Sequence, residues 1–215
     1  MPATRLDAVQ GLYAITDPRL IPAERLLPTA EAALQGGARL LQYRDKDADA
    51  LTRRQRAARL AHLCQQYDAL FLVNDDPALA AEVDADGVHL GQSDGSVAKA
   101  RAIIGNDKLI GVSCHGSLEL AAQAAAEGAD YLALGRFYAS HTKPQAPPAA
   151  IPVLAEARRR FPHQRLVAIG GITPANAEPL IAAGADAVAV IHALFAAEDV
   201  AAAARQFSTL FTHQP

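Results

Sequence analysis

Four short segments place charged, amide and hydroxyl side chains directly after apolar runs. They are Gln42-Tyr43-Arg44-Asp45-Lys46, Asn74-Asp75, Gln92-Ser93-Asp94 and Ser140-His141-Thr142-Lys143. In the first, strand alternation sends Gln42, Arg44 and Lys46 to one side. An amide and two cations on one face suit a diphosphate, with Arg44 as a planar fork and Lys46 as a point charge. The competing reading is a solvated strand end with a salt bridge to Asp45. Asp75 and Asp94 end neighbouring runs, and two carboxylates beside a phosphate site suit Mg²⁺, which takes a few carboxylates with waters and phosphate oxygens. Helix capping is the alternative for both, and it is the main reading for Asp76, directly before Pro77.

Further along, Ser113 can donate to a phosphate oxygen, and His115 is either a base or a packing group. Ser140, Thr142 and Lys143 sit in a stretch that suits a phosphate grip. The connection from Arg136 to Ala149 carries Pro144, Pro147 and Pro148 and no periodicity. A loop of that kind in a compact domain suggests a functional lid. Gly170-Gly171 let backbone N–H groups approach a phosphate, or else make a tight strand-to-helix turn. Val190-Ile191-His192 would form the other side of that corner.

The elements that must position these residues are short apolar runs bounded by turn residues, near 11–16, 39–44, 70–75, 87–91, 109–114, 131–135, 166–170 and 187–191. Such runs suit strands buried on both faces. Helical patterns separate them, near 23–36, 48–66, 77–83, 96–104, 117–128, 150–160, 174–183 and 197–211. Asp49 or Asp47 is expected to start the second helix, Ser117 the fifth and Thr173 the seventh, with Pro174 in its first turn. A repeat recurs at the helix ends: Gln-Gly-Gly-Ala-Arg, Asp-Ala-Asp-Gly, Glu-Gly-Ala-Asp and Ala-Gly-Ala-Asp each precede a strand. Left-handed glycine is expected to stop the helix there. Strict alternation predicts a parallel sheet, and eight units predict a single closed (β/α)8 barrel, a TIM barrel, as one catalytic domain over residues 1–215 with its core at about 11–211. A doubly wound open sheet is the alternative, but no G-x-G-x-x-G follows the first strand.

Composition narrows the function. Net charge is −3 and the pI is near 6.1, so no basic surplus is present to hold nucleic acid. Tryptophan is absent and aromatics are 5%, which argues against base stacking. No apolar stretch reaches the ~20 residues of a membrane span, and no signal peptide is expected. Cys64 and Cys114 read as small buried hydrophobes of a reduced, cytosolic protein. The expected partners are therefore small phosphorylated molecules; homo-oligomer formation stays open.

Taken together, the motifs resemble the thiamine-phosphate synthase family. The pieces are Gly11-Leu12-Tyr13-Ala14-Ile15-Thr16-Asp17, Gln42 to Lys46, Val73-Asn74-Asp75, Gly87-Val88-His89-Leu90-Gly91-Gln92-Ser93-Asp94, Ile110 to Ser113, Ser140 to Lys143, Ala168 to Ile172 and Gly184 to Val190. The resemblance implies a (β/α)8 barrel that joins 4-amino-2-methyl-5-hydroxymethylpyrimidine diphosphate to thiazole phosphate, or to its carboxylated form, with pyrophosphate leaving first. It implies that Gln42, Tyr43, Arg44, Asp45, Lys46, Asn74, Ser113 and Lys143 hold the pyrimidine diphosphate. Asp75 and Asp94 then hold Mg²⁺, and Ser140, His141, Thr142, Gly171, Ile191 and His192 meet the thiazole phosphate. Arg44, Lys46, Ser113 and Lys143 would be the catalytic set.

Two positions depart from the family pattern. His192 stands where a small polar residue is usual, which leaves that contact to its imidazole or to its backbone N–H. Ser140 stands where threonine is commoner. A thiazole tautomerase of the same superfamily is the nearest rival, but it uses a histidine after the glycine that ends strand six, and Arg136 stands there. A non-catalytic thiamine-precursor-binding regulator would not need the carboxylate pair, the diphosphate grip and the lysine together.

Overall fold

The computed structural model describes residues 5–140, 142, 145 and 147–211. Eight parallel strands close on themselves: β1 (Gly11–Ile15), β2 (Ala38–Tyr43), β3 (Leu70–Asn74), β4 (Gly87–Leu90), β5 (Leu109–His115), β6 (Tyr131–Leu134), β7 (Arg165–Ile169) and β8 (Ala187–Val190). Each pairs with its neighbour in sequence, and β8 returns to β1 through Gly11↔Ala187 and Ala14↔Val190. The open-sheet alternative is thereby excluded. The helices are α1 (Leu26–Gln35), α2 (Ala50–Gln66), α3 (Pro77–Glu82), α4 (Val97–Ile104), α5 (Leu118–Ala126), α6 (Ile151–Arg160), α7 (Pro174–Ala182), α8 (His192–Phe195) and α9 (Val200–Ser208).

Element ends shift by up to three residues, the last helical segment ends in a 3-10 turn at Thr209–Phe211, and two further differences stand out. The first helical segment is split, with a 3-10 turn at Ala23–Arg25 ahead of α1. The four-residue α8 was not expected, because one turn is too short to show a period.

Caps explain where the helices start. Asp49 accepts from Thr52 N at α2, and Ser117 accepts from Leu120 N at α5, as their positions suggested. Asp76 accepts from Leu79 N at 3.0 Å, so its capping role stands. At α7, the Asn176 side chain accepts from Thr173 N at 2.8 Å, and Pro174 takes the first turn.

The Gly-Ala-Asp repeat has two jobs. Gly37, Gly128 and Gly184 are left-handed at φ 96, 91 and 105°, while before β4 Asp84 takes that conformation at φ 51°. The aspartates that follow reach sideways to the preceding strand. Asp86 accepts from Phe71 N at 2.9 Å, Asp130 from Ile110 N at 2.7 Å, and Asp186 from Leu166 N at 2.7 Å. Each carboxylate is also paired with arginine: Asp86 with Arg5, Asp130 with Arg101, and Asp186 with Arg158 and Arg165. These clamps tie the amino ends of the strands together, opposite the mouth.

Two buried clusters divide the core. The larger lies between strands and helices and holds Leu12, Leu41, Phe71, Val88, Ile110, Leu132 and Leu166 with helix residues such as Leu60 and Leu154. The smaller fills the barrel interior with Tyr13, Leu40, Leu72, Leu109, Tyr131, Val167 and Ala187. Period-two alternation assigns the buried apolar strand residues to one cluster or the other. Cys64 and Cys114 are buried and unpaired, and burial pushes both thiols up to about 12, which fits a packing role. Among the described residues, no helix is long and apolar enough to cross a membrane.

Truncating the Asp186 clamp should leave a strand N–H without its partner and remove one carboxylate from its arginines. Arg158 keeps Gly184 O and Gln164 O, and Arg165 keeps Asp7 and Leu6 O. Asp186→Ala is expected to lower unfolding free energy by about 2–3 kcal/mol in urea titrations. A loss below about 0.5 kcal/mol, the size of an ordinary surface substitution, would contradict the clamp.

Candidate functional site

At the carboxyl ends of the strands, a cavity of about 620 Å³ opens into the barrel mouth. Every strand exit contributes to it. From β2 come Gln42, Arg44 and Lys46, the stripe that alternation selected. Tyr43 and Asp45 turn the other way, toward α2. Asp45 accepts from Asp47 N and Ala48 N at 3.1 Å each and from Arg56 at 2.7 Å. Burial alone would raise its pKa, but those two amides and the guanidinium hold the carboxyl below its ordinary range. Asp45 thus shapes the loop that carries Lys46, and its salt bridge is to Arg56 rather than to Arg44 or Lys46. Behind Arg44, Thr16 Oγ1 accepts from Arg44 N at 2.9 Å and donates to Arg44 O, which fixes that backbone.

Asn74 ends β3, Asp75 follows it, and Asp94 sits in the loop after β4; all three line the cavity. The two carboxyls face each other within hydrogen-bonding reach. Lys46 Nζ lies 2.8 Å from Asp75 Oδ2. Asp94 Oδ2 accepts from Gly91 N at 3.0 Å, and a Cβ on Gly91 would stand 2.4 Å from that oxygen. Asp75 does not cap a helix. Its backbone is left-handed at φ 60°, a conformation aspartate tolerates, and its N–H donates to His89 O at 2.8 Å. Burial and then the Asp75 charge push the Asp94 carboxyl up. For Asp75 burial also acts upward, but the Lys46 bond and charge outweigh it and hold the carboxyl down. Of the two carboxyls, Asp94 is thus the one whose protonated form is favoured, and Asp75 the one held charged.

Ser113 and His115 both line the cavity from β5, where the register with β6 shifts between them and His115 takes φ 51°. Gln92 Nε2 donates to Ser113 O at 2.5 Å. From the sixth exit come Gly135, Arg136, Ala139, Ser140 and Thr142. His141 and Lys143 lie outside the described residues. The glycines after β7 answer a need the sequence did not reveal. Phe137 N and Tyr138 N donate to Ile169 O and Gly170 O at 3.2 and 3.0 Å. A Cβ on Gly171 would lie 2.2 Å from Ala139 O, and one on Gly170 2.2 Å from Arg136 Cβ. These glycines let the long loop dock against the seventh strand exit. Ile191 and the exposed His192 complete the rim, with His192 at the start of α8.

Three residues escaped sequence reasoning. Tyr13, His89 and Tyr131 lie within apolar runs, yet all three are polar-tipped side chains pointing into the barrel. Tyr13 and Tyr131 share a 3.0 Å hydrogen bond, His89 Nδ1 and Tyr131 one of 2.9 Å, and His89 Nε2 and Ser113 one of 2.9 Å. Gln42 Nε2 donates to Tyr13 Oη at 2.6 Å. Their signal was a polar group at an inward position of a buried strand. Gly111 gives Tyr131 its space, since a Cβ there would fall 1.8 Å from the ring.

The arrangement joins a cationic and amide stripe to a carboxylate pair at one side and a glycine corner with hydroxyls at the other. The thiamine monophosphate synthase family model matches residues 12–194. A thiamine-phosphate synthase from Alcanivorax borkumensis is 62% identical over 209 residues, covering 96% of each chain. One from Marinobacter nauticus is 53% identical over 219 residues, covering 100% of this chain and 97% of its own. Among solved structures, thiamine phosphate pyrophosphorylase from Pyrococcus furiosus superposes with a TM-score of 0.87 at 36% identity, over 96% of this chain and 97% of that one.

The electrostatics of the pair can be read directly. With no added metal, carboxyl NMR titration should find Asp94 above its ordinary range and Asp75 below it. Lys46→Ala should move the Asp75 value upward, because the cation that favours its charged form is gone. An unmoved Asp75 would contradict the assigned pairing.

Proposed function

The chain belongs to the thiamine monophosphate synthase family, and from that premise we propose that its barrel mouth joins a pyrimidine diphosphate to a thiazole phosphate. It works as a thiamine-phosphate synthase, a transferase. The observation that carries the site assignment is the facing pair Asp75 and Asp94 beside the stripe of Gln42, Arg44 and Lys46.

In this reading the C–O bond between the pyrimidine methylene and its diphosphate breaks first, and the electron pair leaves with the diphosphate. The aminopyrimidine ring delocalises the positive charge. The thiazole nitrogen lone pair then forms the C–N bond, giving thiamine phosphate. No strong base is needed. What the protein must supply is positive charge and hydrogen-bond donors where negative charge grows. Arg44, Lys46 and Ser113 line that side of the cavity, and Lys143 is assigned the same task. Water would trap the cation, so the loop after β6 is assigned to close the mouth. The thiazole phosphate is assigned to Ser140, His141, Thr142, Gly171, Ile191 and His192.

The donor set fits Mg²⁺. Two facing carboxyls are a site where a cation relieves like-charge repulsion, and oxygen-only ligation suits magnesium. Asp75 and Asp94 would hold the ion, with phosphate oxygens and water completing its shell. When bound, it adds positive charge to the departing diphosphate. Lys46 already partly fills that electrostatic role and would be freed to turn toward the substrate.

Arg136 lines the cavity where the tautomerase reading requires a histidine, and the carboxylate pair is present. Both favour the synthase over that rival and over a binding-only regulator.

Mixing the protein with the pyrimidine diphosphate, the thiazole phosphate and Mg²⁺ should release pyrophosphate and thiamine phosphate. No product would refute the reading. Asp75→Asn, which keeps a residue tolerant of left-handed backbone, should lower kcat by about 10²–10³-fold, the range for one lost charge-stabilising group. Lys143→Ala should fall in the same range. Near-normal kcat in both variants would remove the metal and loop from the mechanism.

A further inference from the structure

A line of hydrogen bonds runs beneath the cavity floor, from the second strand to the fifth. Gln42 Nε2 meets Tyr13 Oη at 2.6 Å, Tyr13 meets Tyr131 at 3.0 Å, Tyr131 meets His89 Nδ1 at 2.9 Å, and His89 Nε2 meets Ser113 Oγ at 2.9 Å. The two tyrosines are fully buried, and the imidazole stacks on the Tyr131 ring with centroids 5.6 Å apart. Gln42 and Ser113, the two ends, both line the cavity. Burial pushes the Tyr13 phenol up to about 12 and that of Tyr131 well above its ordinary value, so both keep their hydrogens at neutral pH.

With one proton on the imidazole, only two arrangements satisfy these four bonds. In the first, hydrogens point from Gln42 to Ser113. The Gln42 N–H donates to Tyr13, Tyr13 to Tyr131, Tyr131 to His89 Nδ1, and His89 Nε2–H to Ser113 Oγ. Ser113 then offers its own O–H to the cavity, and Gln42 offers its carbonyl oxygen. In the second, every hydrogen is reversed and the carboxamide is turned over. Ser113 then offers only lone pairs, and Gln42 offers N–H. Any mixed order makes one phenol accept twice with its own hydrogen stranded, or sets two lone pairs against each other, and the two phenols lie where water cannot reach to repair it.

We propose that Tyr13, Tyr131 and His89 are positioning residues that couple the two ends of the site: a diphosphate oxygen at Ser113 fixes Gln42 as a hydrogen-bond acceptor and so selects a ring that carries an amino group. The inference rests on the functional reading above, which puts diphosphate at Ser113. A phosphate oxygen at neutral pH accepts hydrogen bonds and so needs the Ser113 O–H. That demand holds the first arrangement, and the Gln42 oxygen then faces the ring. An amino group meets an acceptor there. A ring with a carbonyl in the same place meets like against like. The site would discriminate between the two rings most strongly when the diphosphate is present, which is when a wrong ring would otherwise be committed to reaction.

The test is calorimetric binding of 4-amino-2,5-dimethylpyrimidine and of its 4-oxo counterpart, each with and without inorganic diphosphate and Mg²⁺. In the wild type, diphosphate should tighten the amino ring by about fivefold or more, the lower range of measured site-to-site coupling, and weaken the oxo ring. Tyr131→Phe keeps the ring that fills the space over Gly111 but removes the link, and both effects should disappear while each ligand still binds alone. Should circular dichroism find that variant unfolded, Tyr13→Phe breaks the same line one step earlier. Equal coupling in wild type and variant, or the same sign for both rings, would overturn the relay. Thiamine phosphate formation with no coupling in the wild type overturns the relay alone; no formation and no diphosphate binding overturns the functional reading and the relay with it.

Discussion

Closure of eight parallel strands is the constraint from which the site follows. Each strand sends alternate side chains inward, and a closed barrel gives those side chains a common axis. Below the mouth they must pack on one another, and at the mouth they must face one space. Gln42, Asn74 and Ser113 are inward positions at strand ends, and Asp75 and Asp94 follow in the next loops. No two of these five are adjacent in sequence except Asn74 and Asp75; the consecutive pairing of β2 to β5 lines them up, and closure turns them onto one space. The arginine-bound aspartates at the opposite end hold the strands in the register that closure needs.

Charge is the second theme. Two carboxyls held face to face repel, and Lys46 on Asp75 offsets part of that repulsion, while the Asp94 carboxyl is pushed up by burial and by the Asp75 charge. This is an arrangement that a divalent cation with a diphosphate can take over, since both bring the opposite charges to the same atoms. Backbone detail serves the same end. Asp75 is held left-handed by its bond to β4, and Gly91 leaves room for the Asp94 oxygen. On the far side, Gly170 and Gly171 admit the loop that carries Ser140 and Thr142.

Much of this was legible in the chain because buried parallel strands leave a plain trace: short apolar runs between turn residues. The stripe of Gln42, Arg44 and Lys46 followed from alternation, and the Asp75–Asp94 proximity followed from strand order. Other features depend on contacts that local pattern does not carry. Tyr43 and Asp45 sit inside the same motif as the stripe, yet the structure turns them toward α2, where Arg56 waits eleven residues on. The line through Tyr13, Tyr131 and His89 joins first, sixth and fourth strands across the barrel axis, so neither spacing nor periodicity reveals it. The glycines after β7 looked like a phosphate turn or a tight bend; their conformations also accommodate a loop more than thirty residues earlier, which only the folded chain brings into contact.

The central claim is that the facing aspartates and the diphosphate share one cation at the barrel mouth. Paramagnetic relaxation of the ³¹P signals of inorganic diphosphate by Mn²⁺, used in place of Mg²⁺, tests it most directly. The account predicts strong relaxation with the wild-type protein, well beyond that of Mn²⁺ and diphosphate free in solution, and loss of the protein-dependent part in the Asp75→Asn, Asp94→Asn double variant. Equal relaxation in the wild type and the double variant would contradict it.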